Sequence, residues 1–286
     1  MIVLSLFDGM SCGQIALERA GILYDQYCAA EIDEAAMQVA QRNYPWTVQL
    51  GDVTEWREWD VDWGAVGLVL GGSPCQGFSF AGAQLAFDDP RSALFFEYVN
   101  VLEFVQLHNP SVAFLLENVK MAKKHEQVIT SYLGVDPVLI NSATVSAQMR
   151  ARNYWANWSF PRPNNTSATL NDVLDGEYWS TRDKAYCIDA NYAKGTNFKR
   201  YFFRGSRQLV LEHGYDPRDG MCEANANEIM HADGNRWRKL TPEECERLQT
   251  VPEGYTSCVP DRERYKMLGN GWTVDVVAHI LRYMEA

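Results

Sequence analysis

No stretch of this 286-residue chain stays apolar for the roughly 18 residues that a membrane-spanning helix needs. The opening run, Met1 to Asp8, has neither a basic start nor a small-residue cleavage site, so no signal peptide is read there. None of the seven cysteines (12, 28, 75, 187, 222, 245 and 258) forms a C-x-x-C pair, which leaves a zinc site with little support. Their odd number and wide scatter argue against a disulfide framework, and a reducing, cytoplasmic compartment is expected. There is no internal repeat, no low-complexity tract and no G-x-G-x-x-G dinucleotide fingerprint. Positive charge is scarce too: 26 Lys and Arg stand against 37 Asp and Glu, a net charge of −11, which at first argues against a nucleic-acid partner. One segment departs from that balance. Between Arg182 and Arg207, seven basic residues (182, 184, 194, 199, 200, 204 and 207) face two acidic ones (183 and 189). Such a run is either a solvated face or a surface for phosphates.

What is present is an alternation. Ile2–Leu6, Tyr27–Glu31, Gly67–Leu70, Val112–Leu116 and Val138–Ile140 read as short buried strands. Gly13–Ala20, Glu34–Asn43, Leu94–Leu107 and Met121–Leu133 read as the helices between them. Strand–helix alternation implies an α/β fold with a mostly parallel sheet, whose sites form at the carboxyl ends of the strands. The pattern breaks after Trp158. Residues 161–239 are rich in Pro, Asn, Asp, Gly and aromatics, with short strand candidates at Tyr201–Phe203 and Gln208–Leu211. Regularity returns at Thr241-Pro242-Glu243-Glu244, a capping box with proline at the first helical position. The expected division is therefore 1–160, a loop-rich 161–239, and a C-terminal segment 240–286 that packs back on the first part.

Four constellations sit at strand ends. Phe7-Asp8-Gly9-Met10-Ser11-Cys12-Gly13 follows the first strand, where glycines let the backbone turn tightly beside a ligand. Glu31, about 20 residues on, can take the two hydroxyls of a ribose, and Asp52 can meet an exocyclic adenine amine; turn glycines and surface acids would explain the same residues. Cys75, in Ser73-Pro74-Cys75-Gln76, is a nucleophile candidate by its loop position, although a lone cysteine is more often inert and buried. Glu117, in Glu117-Asn118-Val119, either donates to a ring nitrogen in its protonated form or caps the helix that follows. In Gln148-Met149-Arg150-Ala151-Arg152, residues 148, 150 and 152 would share one strand face, and two arginines there call for an anion or for open water.

Taken in order, these motifs resemble the cytosine-5 DNA methyltransferase family. The set is completed by Arg238-Lys239-Leu240-Thr241-Pro242-x-Glu244-Cys245-x-Arg247-Leu248-Gln249 and by Leu268-Gly269-Asn270-Gly271-Trp272-Thr273-Val274. The likeness spans nearly the whole chain outside 160–235. The run Ala93-Leu94-Phe95-Phe96-Glu97 is similar to the vertebrate de novo branch, while the compact size suggests a phage or bacterial enzyme. The resemblance implies a Rossmann-like, S-adenosyl-L-methionine-dependent fold with a small target recognition domain. It implies that Cys75 attacks carbon 6 of a flipped-out cytosine, that Glu117 holds the N3 and amino edge, and that Arg150 and Arg152 assist. It assigns the cofactor, and its product S-adenosyl-L-homocysteine, to Phe7, Asp8, Gly9, Met10, Cys12, Glu31, Ile32, Asp52, Val53, Asn270 and Trp272, with no metal. Duplex DNA would be met by Gln76, Ser79, Arg91, Asn197, Lys199, Arg200, Arg204 and Arg207. The expected setting is the cytoplasm of a bacterial or phage-infected cell, with room for a companion restriction enzyme and with the oligomeric state left open. An RNA cytosine-5 methyltransferase, an inactive regulatory nucleic-acid-binding protein and a nicotinamide-dependent dehydrogenase are the competing readings. The intact Cys75, Glu117 and Arg152 set opposes the second, and the missing fingerprint opposes the third.

Overall fold

The structure is a computed structural model and describes residues 1–74, 93–194, 198–218, 220–232 and 236–284. Cys75, Gln76, Ser79, Arg91 and Asn197 lie outside the described residues. The chain divides into two compact units. The first comprises Met1–Asn141, Ala151–Pro163 and Val274–Ala286; the second comprises Ser142–Arg150 and Asn164–Thr273. This division differs from the boundaries at 160 and 239 drawn from composition: residues 240–273 group with the second unit and only 274–286 with the first.

The first unit is built on β1 (Ile2–Leu6), α1 (Cys12–Ala20), β2 (Gln26–Ala30), α2 (Glu34–Asn43), β3 (Val48–Gln49), β4 (Val66–Gly71), α3 (Ala93–His108), β5 (Ala113–Val119), α4 (Lys123–Leu133), β6 (Val138–Asn141) and β7 (Ala151–Ala156). Seven strands form one sheet in the order β3-β2-β1-β4-β5-β7-β6. Pairings from β3 through β5 are parallel, and β7 runs antiparallel to both β5 and β6. Every side chain of β1 is buried, as are five of the six residues of β4. Such largely apolar runs suit strands covered on both faces. Helix α3 buries Phe95, Tyr98, Val99, Val101, Leu102 and Val105 at helical spacing. Because β2 and β4 flank β1, the strand order reverses at β1, which places the ends of these strands at the switch point of the sheet.

The second unit carries β8 (Tyr178–Trp179), α5 (Phe198–Arg204), β9 (Leu209–Glu212), α6 (Ala226–Ala232), β10 (Trp237–Lys239), α7 (Pro242–Leu248) and α8 (Asp261–Asn270). Its three strands form an antiparallel sheet in the order β10-β9-β8. The segment at Tyr201–Phe203, expected as a strand, lies inside helix α5. Phe198 and Tyr201, three residues apart, are buried against Leu209, Leu211 and Met230, so the helical period governs and aromatic composition misled. The capping box is formed: Thr241 Oγ1 accepts from the Glu244 amide at 3.1 Å, and Glu244 Oε2 accepts from the Thr241 amide at 2.8 Å. The last helix, α9 (Val274–Leu281), returns to the first unit and packs on α1, with Arg19 paired to Asp275 at 2.8 Å. No helix among the described residues is long and apolar enough to cross a membrane.

Candidate active site

Strand β1 ends in a turn that holds two non-glycine residues in the left-handed region, Phe7 (φ 58°) and Ser11 (φ 62°), with Gly9 (φ 62°) between them. Strain of this kind persists only where surrounding contacts over-determine it. Here the Asp8 amide donates to the Ala30 carbonyl at 3.1 Å and the Gly9 amide to Glu31 Oε2 at 2.8 Å. Glu31 Oε1 accepts from the Ile32 and Asp33 amides, each at 2.8 Å. The Glu31 carboxylate is thereby fixed at the end of β2, and three main-chain donors hold its charge in place. Asp33 caps α2 by accepting from the amides of Ala35 and Ala36. Asp52 likewise caps the 3-10 helix Val53–Glu58 through Thr54.

These residues of the first unit can be tested against a nucleoside cofactor. A side chain at Gly9 or Gly51 would meet nothing within 4 Å, so there is open space above both turns. Ile32 is 69% exposed, an uncovered apolar surface beside the fixed Glu31 carboxylate. A diol acceptor, an apolar platform and a second acid at Asp52 supply the acceptors and apolar surface a nucleoside needs, so the residues fit. Met10, Cys12 and Val53 are buried side chains and can offer only main chain. Asn270 and Trp272 belong to the second unit, Asn270 exposed at the end of α8 and Trp272 buried. Among the described residues no cluster of His, Cys, Asp or Glu could hold a metal ion.

Two strands over, β4 ends at Gly71, where an added Cβ would come within 2.5 Å of the Tyr98 ring. Next comes Ser73, two residues before Cys75. Asn118 Nδ2 donates to Ser73 Oγ at 3.1 Å and to the Ser73 carbonyl at 3.3 Å, while its own Oδ1 accepts from the Val119 amide. Asn118 is 1% exposed, so it ties the loop that leads to Cys75 onto the end of β5. Sequence reasoning quoted Asn118 but gave it no role. The signal was available, since a buried amide at a strand end must find partners.

Glu117 precedes it in β5 and is buried. Its Oε1 lies 2.9 Å from Arg152 Nε, across the antiparallel β5–β7 pair. The two arginines of the Gln-x-Arg-x-Arg motif part company here. Strand β7 begins at Ala151, so the expected shared strand face of 148, 150 and 152 does not extend over Gln148 and Arg150. Arg150 lies in the second unit and is 3% exposed. It donates to the carbonyls of Ile188 (3.1 Å), Gly269 (3.1 Å) and Gly271 (2.9 Å). Main-chain oxygens meet its charge.

In the second unit the basic run is also sorted by its contacts. Arg182 lies over the Tyr186 ring at 3.7 Å, and Lys184 donates to the carbonyls of Ser146 and Ala168. Arg207 (φ 64°) is turned onto the carbonyls of Asn191 and Lys194 and lies 3.5 Å from Asp189, so its guanidinium is engaged within the unit. Arg204 is exposed and pairs with Glu223 at 2.9 Å. Arg200 is exposed and Lys199 half-buried, both on α5, beside the 44% exposed Phe203.

Comparison with known proteins identifies the family. The model of the C-5 cytosine-specific DNA methylase family matches residues 1–133 and 142–286. The chain belongs to that family. As a C-5 cytosine-specific DNA methylase it is a DNA cytosine-5 methyltransferase. Curated relatives include the type II methyltransferase M.NlaX of Neisseria lactamica, 28% identical over 328 aligned residues that cover 99% of this chain and 96% of the relative. M.HpaII of Haemophilus parainfluenzae is 26% identical over 326 aligned residues, covering 96% and 86%. Among solved structures, a Spodoptera frugiperda DNMT2 variant superposes with a TM-score of 0.70 at 19% identity, covering 99% of this chain and 98% of that one. The Entamoeba histolytica methyltransferase EhMeth gives 0.72 at 15% identity, covering 99% and 97%. At those identities the two structures speak for the α/β fold alone.

Proposed function

We propose that this methylase transfers a methyl group to carbon 5 of a flipped-out cytosine in a short duplex DNA sequence, through a covalent adduct between Cys75 and carbon 6. The observation that supports this most is the Glu117–Arg152 pair, buried at the end of β5 next to the Asn118–Ser73 tie that leads to Cys75. Glu117 would hold the N3 and amino edge of the pyrimidine and, by donating a proton to N3, stabilise the charge that thiolate attack at carbon 6 pushes onto the ring. Arg152 would orient Glu117 and face the oxygen edge of the ring. Arg150, bound to carbonyls, would contribute by fixing the Gly269–Gly271 turn. Bound S-adenosyl-L-methionine would supply the methyl group from its sulfonium and leave as S-adenosyl-L-homocysteine. Glu31 would take the ribose, Ile32 the adenine face and Asp52 the adenine amine, with Phe7 and the main chain of residues 8–12 and 53 around them; Asn270 and Trp272 are carried over as further contacts from the family likeness. Water can serve as the base that removes the carbon 5 proton; the electrons of that C–H bond re-form the carbon 5–carbon 6 double bond and the Cys75–carbon 6 bond breaks to return the thiolate.

Residues 161–239 would read the target. Lys199, Arg200 and Arg204 on α5 would meet phosphates, with Gln76, Ser79, Arg91 and Asn197 as further DNA contacts; Arg207 would support the segment from Asn191 to Lys194. The type II names of the relatives favour a companion restriction enzyme. The test compares methyl transfer from labelled cofactor to duplex DNA of mixed sequence and to transfer RNA. Incorporation into DNA that maps to carbon 5 of cytosine is expected; incorporation into RNA alone would overturn the DNA reading.

A further inference from the structure

Beneath the turn at the end of β1 lies a polar network that the mechanism above does not use. Tyr27, on β2 and 2% exposed, donates its hydroxyl to Asp8 Oδ1 at 2.6 Å. The Ser11 hydroxyl donates to the other oxygen of Asp8. Gln14 extends the chain, donating to Ser11 Oγ at 3.2 Å and to Thr47 Oγ1 at 2.8 Å, and accepting from the Tyr24 hydroxyl at 3.0 Å. Both Asp8 oxygens are thus engaged from below, between the strained residues Phe7 and Ser11. Tyr27 reaches Asp8 only because position 13 has no side chain: a Cβ on Gly13 would stand 2.5 Å from the Tyr27 hydroxyl and 3.0 Å from Leu70. Asp8, Gly13 and Tyr27 therefore act as one device.

We infer that Tyr27 is a positioning residue for the cofactor turn, acting through Asp8 to hold residues 7–11 in the strained shape that keeps the Gly9 amide on Glu31. This rests on the reading of that turn as the cofactor site. The physical reason is the balance of strain and restraint. Left-handed Phe7 and Ser11 favour relaxation of the turn, and a carboxylate that accepts two hydroxyl donors across it opposes that relaxation. A protonated Asp8 is neutral and its hydroxyl oxygen is a poor acceptor, so it holds the two donors more weakly. Burial pushes the Asp8 pKa up to about 6, opposed by the hydroxyls of Ser11, Ser5 and Tyr27, with the Glu31 charge adding to the rise. The titratable groups facing it are Tyr27, Tyr24 and Glu31. The restraint should therefore weaken as pH falls through about 6.

The experiment is calorimetric binding of S-adenosyl-L-homocysteine between pH 5 and 8.5 for the wild type, Tyr27→Phe, Gly13→Ala and Glu31→Ala, with melting temperatures measured alongside. Binding by the wild type that Glu31→Ala weakens upholds the site reading; no binding by the wild type overturns that reading and this inference with it. Tyr27→Phe keeps the ring and its packing. It is expected to bind about tenfold more weakly at neutral pH, the effect of one lost charge-assisted hydrogen bond. It should also move the midpoint of the pH dependence upward, because a donor that favoured the carboxylate is gone. Gly13→Ala, which displaces the hydroxyl without removing it, should move the midpoint in the same direction. If the wild type binds while Tyr27→Phe shows the wild-type affinity and midpoint, the inference falls and the site reading stands.

Discussion

Removing Arg152 should harm this protein more than removing Arg152 and Glu117 together. The two side chains are only 15% and 11% exposed and their charged atoms are 2.9 Å apart. In a medium of effective dielectric about 20 their attraction is roughly 6 kcal/mol before the cost of desolvating both ions, which consumes most of it. Arg152→Met keeps much of the apolar stem but leaves the Glu117 carboxylate without its partner, at a cost of about 3 kcal/mol. Glu117→Gln leaves a neutral acceptor and should cost about 1.5 kcal/mol. In the double variant no unpaired charge remains, and a loss of about 2 kcal/mol is expected, which makes the coupling roughly 2.5 kcal/mol. Urea denaturation of the four proteins, with unchanged dependence on denaturant as the check, supplies the cycle. Additivity within about 0.5 kcal/mol would show that the pair does not share its charge as argued.

Other outcomes follow from the same geometry. Glu31→Ala should weaken S-adenosyl-L-homocysteine at least about tenfold by calorimetry, because it removes a carboxylate held by three amides; an unchanged dissociation constant would refute the ribose assignment. Reversing Lys199 and Arg200 to Glu should lower the salt slope of DNA binding by about 2, near 0.9 for each lost phosphate contact; an unaltered slope in a titration series would remove α5 from the interface. Phe198→Ala should destabilise the second unit by about 3–5 kcal/mol, since the ring is 1% exposed among Tyr201, Leu209 and Met230. Folded Asp8 keeps its proton up to about pH 6, above the ordinary value of 3.8, so stability should fall as pH rises from about 4 to about 6. The melting temperature of the wild type should accordingly fall across that window by more than that of Asp8→Asn, which has no proton to lose; an equal fall in both would contradict that sign.

The α/β fold was legible because its central strands are written as buried runs: Ile2–Leu6 and Val66–Gly71 tolerate few polar side chains, and the helical spacing of α3 is plain. The family was legible because its motifs sit at the ends of those strands in order. What could not be read was where local chemistry is decided across the chain. The Tyr201–Phe203 segment has the composition of a strand, but its register against Leu209 and Met230 makes it helical. Arg150 and Arg152 look equivalent at a spacing of two until the strand is seen to start at Ala151. The basic excess of 182–207 is partly spent on carbonyls and a tyrosine ring, which a charge count cannot show. Tyr27 belongs to the site through the empty Cβ position of Gly13, and no spacing rule brings residues 8, 13 and 27 together.

Trapping tests the covalent route through Cys75. The purified protein is incubated with S-adenosyl-L-methionine and a duplex of mixed sequence containing 5-fluorocytosine, beside Cys75→Ala, and resolved under denaturing conditions. Fluorine at carbon 5 blocks the proton loss that would release the enzyme, so a denaturation-resistant protein–DNA adduct that requires both the cofactor and Cys75 is the expected result. An adduct formed equally by Cys75→Ala, or none from a protein shown by calorimetry to bind the cofactor and to methylate the unmodified duplex, would contradict the assignment of Cys75 as nucleophile.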